Sequence, residues 1–193
     1  MIPWLFLLFP GDRSMKCVIR LAAAASLLLA TLGRAQQPAL GPLGTAMRQA
    51  LTRVTTNMPG AADLMPVDKY GFKPTPQQMS FGEIIAHEAS SNETLCASIA
   101  GGAQAPSESA AGATAPKDEL VARLRKSFDY CGTVIAQMNE ATLADSVPFF
   151  NGRKATRARA IVALVQDWAD HYAQAAMYLR ANGILPPSAR PRQ

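Results

Sequence analysis

Between about Lys154 and Asn182, the residues Ile161, Leu164, Val165, Trp168, Tyr172, Ala175, Ala176 and Leu179 recur at the spacing of one helix face. A helix turns once per 3.6 residues, so positions three and four apart share a stripe. Three earlier stretches repeat the pattern. Met47, Leu51 and Val54 mark a helix over about Thr45 to Met58. Phe81, Ile84, Ile85, Leu95, Cys96 and Ile99 mark a second over about Phe81 to Ile99. Leu120, Val121, Leu124, Phe128, Cys131, Ile135 and Met138 mark a third that ends near Asn139. No segment sustains the period-two alternation of a strand. Helices with one apolar stripe bury it only against each other. The expectation is an all-α chain, a four-helix bundle without a sheet.

The breaks fit this reading. Pro59-Gly60 is expected to interrupt the first helix, with a brief resumption from Ala61 to Leu64. The stretch Met65 to Met79 carries three prolines and reads as a loop pinned by Tyr70 and Phe72. Ser80 and Glu83 form the spacing of a capping box ahead of the second helix. Gly101 to Pro116 is a Gly/Ala/Ser/Pro-rich connection, and Asp118 and Glu119 sit at the positive end of the third helix. Thr142 to Gly152 connects to the last helix, with Val147, Phe149 and Phe150 expected against the bundle. Asn182-Gly183, then Pro186-Pro187, ends that helix.

The N-terminal residues read differently. From Met15 come a basic start, an apolar run from Leu21 to Leu32 and the small-residue exit Gly33-Arg34-Ala35. These are the three parts of a secretory signal peptide. The run is shorter than the roughly 20 residues needed to span a bilayer. Residues 1–35 are therefore expected to be an upstream extension plus an export signal starting at Met15, and an uncleaved anchor is the alternative. Residues 36–193 form one domain, expected in the periplasm or outside the cell, with no stable membrane insertion after cleavage. That domain carries 15 Lys+Arg against 13 Asp+Glu, with no basic block, so nucleic-acid binding has no support.

Two cysteines, Cys96 and Cys131, fall on apolar stripes of the second and third helices. In an oxidising compartment they are a disulfide candidate, and two buried thiols are the other reading.

Asp167 and His171 lie four apart on the last helix, one above the other. An acid and an imidazole so placed can hold one ion from a single rigid element, or can hydrogen-bond to each other. The chain's only other histidine is His87, at the edge of the second helix's buried face. No Gly-x-Ser-x-Gly turn is present, and the cysteines read as core, so nucleophilic catalysis has little support.

Three stretches carry a resemblance. They are Tyr70-Gly-Phe-Lys-Pro-Thr-Pro-Gln-Gln-Met-Ser-Phe-Gly-Glu-Ile-Ile-Ala-His87, the run from Leu124 to Cys131, and Asp170-His-Tyr-Ala-Gln-Ala-Ala-Met-Tyr-Leu-Arg-Ala-Asn-Gly-Ile-Leu-Pro-Pro187. Together they resemble an exported branch of the DinB/YfiT-like superfamily of proposed metalloenzymes. The resemblance implies an antiparallel four-helix bundle, often a homodimer, with a divalent metal ion (nickel, zinc or iron) on three histidines. It also implies relatives that act as transferases or isomerases with low-molecular-weight thiols. The first and last ligands fall on His87 and His171. The middle one falls on Asp167, a departure that changes the ion preference or marks a decayed site. A two-histidine, one-carboxylate set is itself a known arrangement for iron or zinc. Glu88 and Asp170 are candidates to orient a ligand imidazole, with an exposed helix-face charge as the other reading and the favoured one for Asp170; Tyr172 reads as a packing residue, or as one that faces the pocket. The expected function is metal-dependent hydrolysis or group or thiol transfer on an unknown small molecule. The alternative is a non-catalytic exported bundle with a vestigial site, acting in binding or dimerisation.

Overall fold

The computed structural model describes residues 40–102 and 114–191. The expected export segment and upstream extension lie outside the described residues, as does most of the Gly101–Pro116 connection. Four helices carry the fold: α1 (Pro42–Leu64), α2 (Phe81–Ile99), α3 (Lys117–Ala136) and α4 (Arg157–Ala181). Among the described residues, none of these helices is long and apolar enough to cross a membrane.

α1 is longer than expected at both ends. It starts at Pro42, where a missing N–H costs nothing. The Glu140 side chain then caps it, with Gly44 N donating to Oε1 at 2.9 Å. A Cβ at Gly41 would collide with that carboxylate, so glycine leaves it room at the helix's positive end. The helix also continues through Pro59, contrary to the expected break. An interior proline costs roughly 3 kcal/mol. The offset is local burial: Met58, Pro59, Ala61 and Ala62 are all buried, and Tyr70 donates its hydroxyl to Ala62 O at 2.7 Å. Lys117 Nζ then closes the end, donating to Asp63 O at 2.8 Å and Met65 O at 2.7 Å.

The capping box of α2 forms as read, with Glu83 N donating to Ser80 Oγ and Ser80 N to Glu83 Oε2. The Ser80 backbone bond, joined by Lys73, holds the Glu83 carboxyl down at about 2.

α1 and α2 each pack against both α3 and α4, so the helices form a ring in the order α1, α3, α2, α4. Their directions correct the antiparallel expectation. Asn92 meets Ser127 and Cys96 meets Cys131, both 35 residues on, so α2 and α3 run parallel. The end of α1 meets the start of α3 through Lys117, and the end of α2 meets the start of α4 through the Arg157 bond to Ile99 O. α1/α3 and α2/α4 are therefore antiparallel, and α1/α4 is parallel. Apolar periodicity gives each helix its buried face but no direction, so the antiparallel expectation rests on the resemblance alone.

Cys96 and Cys131 form a disulfide with Cα atoms 5.4 Å apart. Beside it lies a buried polar chain. Trp168 Nε1 donates to Asn92 Oδ1 at 2.6 Å, Asn92 Nδ2 to Ser127 Oγ at 3.0 Å, and Ser127 Oγ to Leu124 O at 2.7 Å. It joins α4, α2 and α3.

A small sheet is present after all. β1 (Ser146–Pro148) pairs antiparallel with β2 (Lys154–Thr156), with Val147 opposite Ala155. Its turn uses Asn151 and Gly152 in the left-handed region, at φ 58° and 70°. Three-residue strands are too short to show alternation. Val147 is buried as expected, whereas Phe150 is exposed. α4 accordingly begins at Arg157, capped by the Thr156 hydroxyl, rather than at Lys154.

Candidate metal centre

α2 and α4 are packed neighbours, and the three expected ligands converge between them. One ligand atom each from His87, Asp167 and His171 lies within 4.8 Å of the other two. The two rings stand with centroids 4.6 Å apart, tilted by 49°. His171 is buried, Asp167 half-buried and His87 exposed, so the group opens to solvent on one side.

His171 is firmly oriented. Its Nδ1 lies 2.9 Å from the backbone oxygen of Asp167. A carbonyl oxygen only accepts, so Nδ1 carries the proton, and the neutral ring keeps its lone pair on Nε2. The carboxylates of Asp167 and Glu88 stand behind the same nitrogen, at 3.3 and 3.5 Å. Carboxylates placed so are the usual means of fixing a ligand imidazole's tautomer and raising its basicity.

The charges follow from this packing. Burial works against a protonated His171, but the hydrogen bonding and charge of Asp167, with the charge of Glu88, outweigh it and raise its pKa. Burial lowers His87, as does the neighbouring His171, with Asp167 opposing. Glu88 is wholly buried, and burial together with Asp167 pushes its carboxyl up to about 8, against the pull of His171.

An ion fits what these residues lack. Asp167 Oδ2 and both Glu88 oxygens are buried without a hydrogen-bond donor. Such acceptors are costly to leave unpaired, and a divalent cation would supply the missing partner of Asp167, the one of the two that belongs to the ligand set. Two imidazoles and a carboxylate are a legitimate set for zinc or iron. Ligands about 2.1 Å from one ion lie at most about 4.2 Å apart. Atoms at the outer limit of the observed spread would close by roughly half an ångström on loading.

Of the proposed helpers, Glu88 stands where an orienting carboxylate belongs. Asp170 is exposed, and no hydrogen bond or ion pair among the described residues includes it. Tyr172 is a correction: its hydroxyl bonds Ser188 at 2.7 Å and accepts from Ser188 N at 3.0 Å. One residue past His171 is about 100° around the helix, which turns the ring from the triad towards α1. Asn92 and Ser127 were missed. The signal for them was two polar residues, Glu88 and Asn92, set four apart on a stripe that is otherwise apolar.

Glu88 gives a pH prediction for chelator-treated protein. The folded chain keeps this proton up to about pH 8, whereas an unfolded chain releases it near 4.5. Its contribution to stability is therefore intact below about pH 4.5 and is lost as pH rises towards 8. Glu88→Gln should be more stable than the parent at pH 8 by on the order of a few kcal/mol, with the gap closing by pH 4.5. Urea melts across that range would show it; parallel pH profiles would contradict it.

The DinB superfamily model matches residues 50–175, well over half of the chain. No curated protein matches the sequence. Among solved structures, a DinB-like protein from Bacillus subtilis is similar with TM-score 0.56 and 18% identity, over 70% of this chain and 92% of that one. A mycothiol-dependent maleylpyruvate isomerase, solved as a histidine-to-alanine mutant, is similar with TM-score 0.56 and 15% identity, over 69% of this chain and 60% of that one. The helical fold and the length of the family match together establish that this chain belongs to the DinB superfamily.

Proposed function

We propose that the chain is a divalent-metal-dependent enzyme whose centre is His87, Asp167 and His171. The observation that carries this is the convergence of three ligand atoms from two helices beside buried acceptors that have no donor. A bound ion would supply Lewis acidity to a substrate oxygen or thiol. The chain's own residues do the rest. Asp167 O fixes the proton of His171 on Nδ1 and keeps Nε2 free to ligate. The half-buried Asp167 carboxylate favours a cation over a neutral occupant. The exposed His87 side leaves an approach for substrate.

The reaction class is hydrolysis or group transfer. A low-molecular-weight thiol as co-substrate is the finer proposal, supported by the fold shared with the mycothiol-dependent isomerase. Export remains part of the reading and rests on the basic start and apolar run of residues 15–36. Homodimerisation is carried over from the resemblance alone.

The test is metal content. Untagged protein should hold about one divalent ion per chain, and His171→Ala and Asp167→Ala should each lower affinity by at least about tenfold, while Asp170→Ala retains it. Metal-free wild type that also fails to take up zinc, iron or nickel on titration would overturn the enzyme reading.

A further inference from the structure

The flank of α4 turned away from the triad borders a cleft that the metal chemistry does not use. Trp168 and Tyr172 follow Asp167 and His171 by one residue each, and face α1 across Val54. This part of the cleft encloses about 300 Å³ and is mostly apolar, at the lower end of the size of small-molecule sites. A second cavity of about 770 Å³ adjoins it, sharing Arg53, Asn57 and Ser188.

The wall of the cleft is built rather than incidental. The short turn Pro187–Ala189 is clamped to α4 by the paired bonds between Tyr172 and Ser188. It also packs on α1 at Gly60, where an added Cβ would meet Pro187 Cγ at 3.2 Å. That clamp brings Arg190 to the same cleft as Arg53. No acidic residue lines either cavity, and among the described residues neither arginine pairs with a carboxylate.

We infer that this cleft binds a small organic anion: a carboxylate on a short apolar chain or ring, its body against Val54, Trp168 and Tyr172 and its charge between Arg53 and Arg190. Guanidinium groups match carboxylate geometry and hold their charge at any physiological pH. An apolar floor beside them selects an amphipathic anion over a bare inorganic one. The site is separate from the metal centre, since none of His87, Asp167 and His171 lines either cavity.

Trp168 supplies the readout. The chain has one other tryptophan, Trp4, so the full chain with Trp4→Phe reports from the cleft alone. Chelator-treated protein, titrated with octanoate and separately with octanol and inorganic phosphate, should show saturable change in Trp168 fluorescence with octanoate. The two controls should bind at least about tenfold more weakly, and Arg53→Gln and Arg190→Gln should each weaken octanoate about tenfold. Both arginines are exposed, so the variants should fold, and circular dichroism checks this. Equal binding of octanol would reduce the cleft to an apolar patch. Equal binding of phosphate, unchanged affinity in folded arginine variants, or no saturable signal below about 10 mM octanoate would each overturn the proposal.

Discussion

Replacing both Cys96 and Cys131 by alanine should lower the unfolding free energy by about 4 kcal/mol. The bond closes a loop with a sequence separation of 35, and in the chain-entropy account closing such a loop removes roughly this much freedom from the unfolded chain. The Cα spacing of 5.4 Å falls within the usual range for an unforced bridge. Both sulfurs are fully buried, so the double variant also loses a little packing. In urea, the expected result is a lower midpoint together with a steeper dependence, because the released denatured chain exposes more surface. Reductant should shift the parent towards the variant and leave the variant where it is. Coincident melts for the two proteins would refute this.

Asn92→Leu should cost about 3 kcal/mol despite adding apolar volume at a fully buried position. The asparagine accepts from the Trp168 indole and donates to Ser127, so its loss strands the N–H of a side chain that is only 3% exposed. Trp168→Phe should cost a similar amount, from the lost ring volume and a stranded Asn92 oxygen. The double variant should be less destabilised than the sum of the singles by roughly 1–2 kcal/mol, because neither partner is then left alone. Strict additivity would show that the three-helix polar chain carries no coupling. Metal affinity offers a second readout: Trp168 directly follows Asp167 along α4, so loosening the helix there should also disturb the triad.

Much of this molecule could be read in advance, and the failures have physical causes. Helix faces were legible because burial repeats every three or four residues, as Leu164, Trp168, Ala175 and Leu179 illustrate. The capping box at Ser80 and Glu83 was legible because it is a local exchange of two hydrogen bonds. Pro59 misled because its penalty is local while its compensation comes from Tyr70, well beyond the helix end, and from Lys117, beyond α2. The parallel pairing of α2 and α3 left no trace in periodicity. At the site, spacing put Asp167 above His171, but only the packing of α2 on α4 brings His87 to them. Tyr172 was misplaced because adjacency along a helix was taken for adjacency in space. Glu88 was noticed for its charge; its complete burial, which gives that charge its influence, belongs to the folded state.

The alignment of α2 with α3 has a consequence for where the chain can be opened. Ile99 and Lys117 stand at opposite ends of the bundle, and the sulfur bridge already staples the two helices side by side. A backbone scission anywhere between them would leave two fragments that travel as one species even in denaturant, until a thiol reagent parts them.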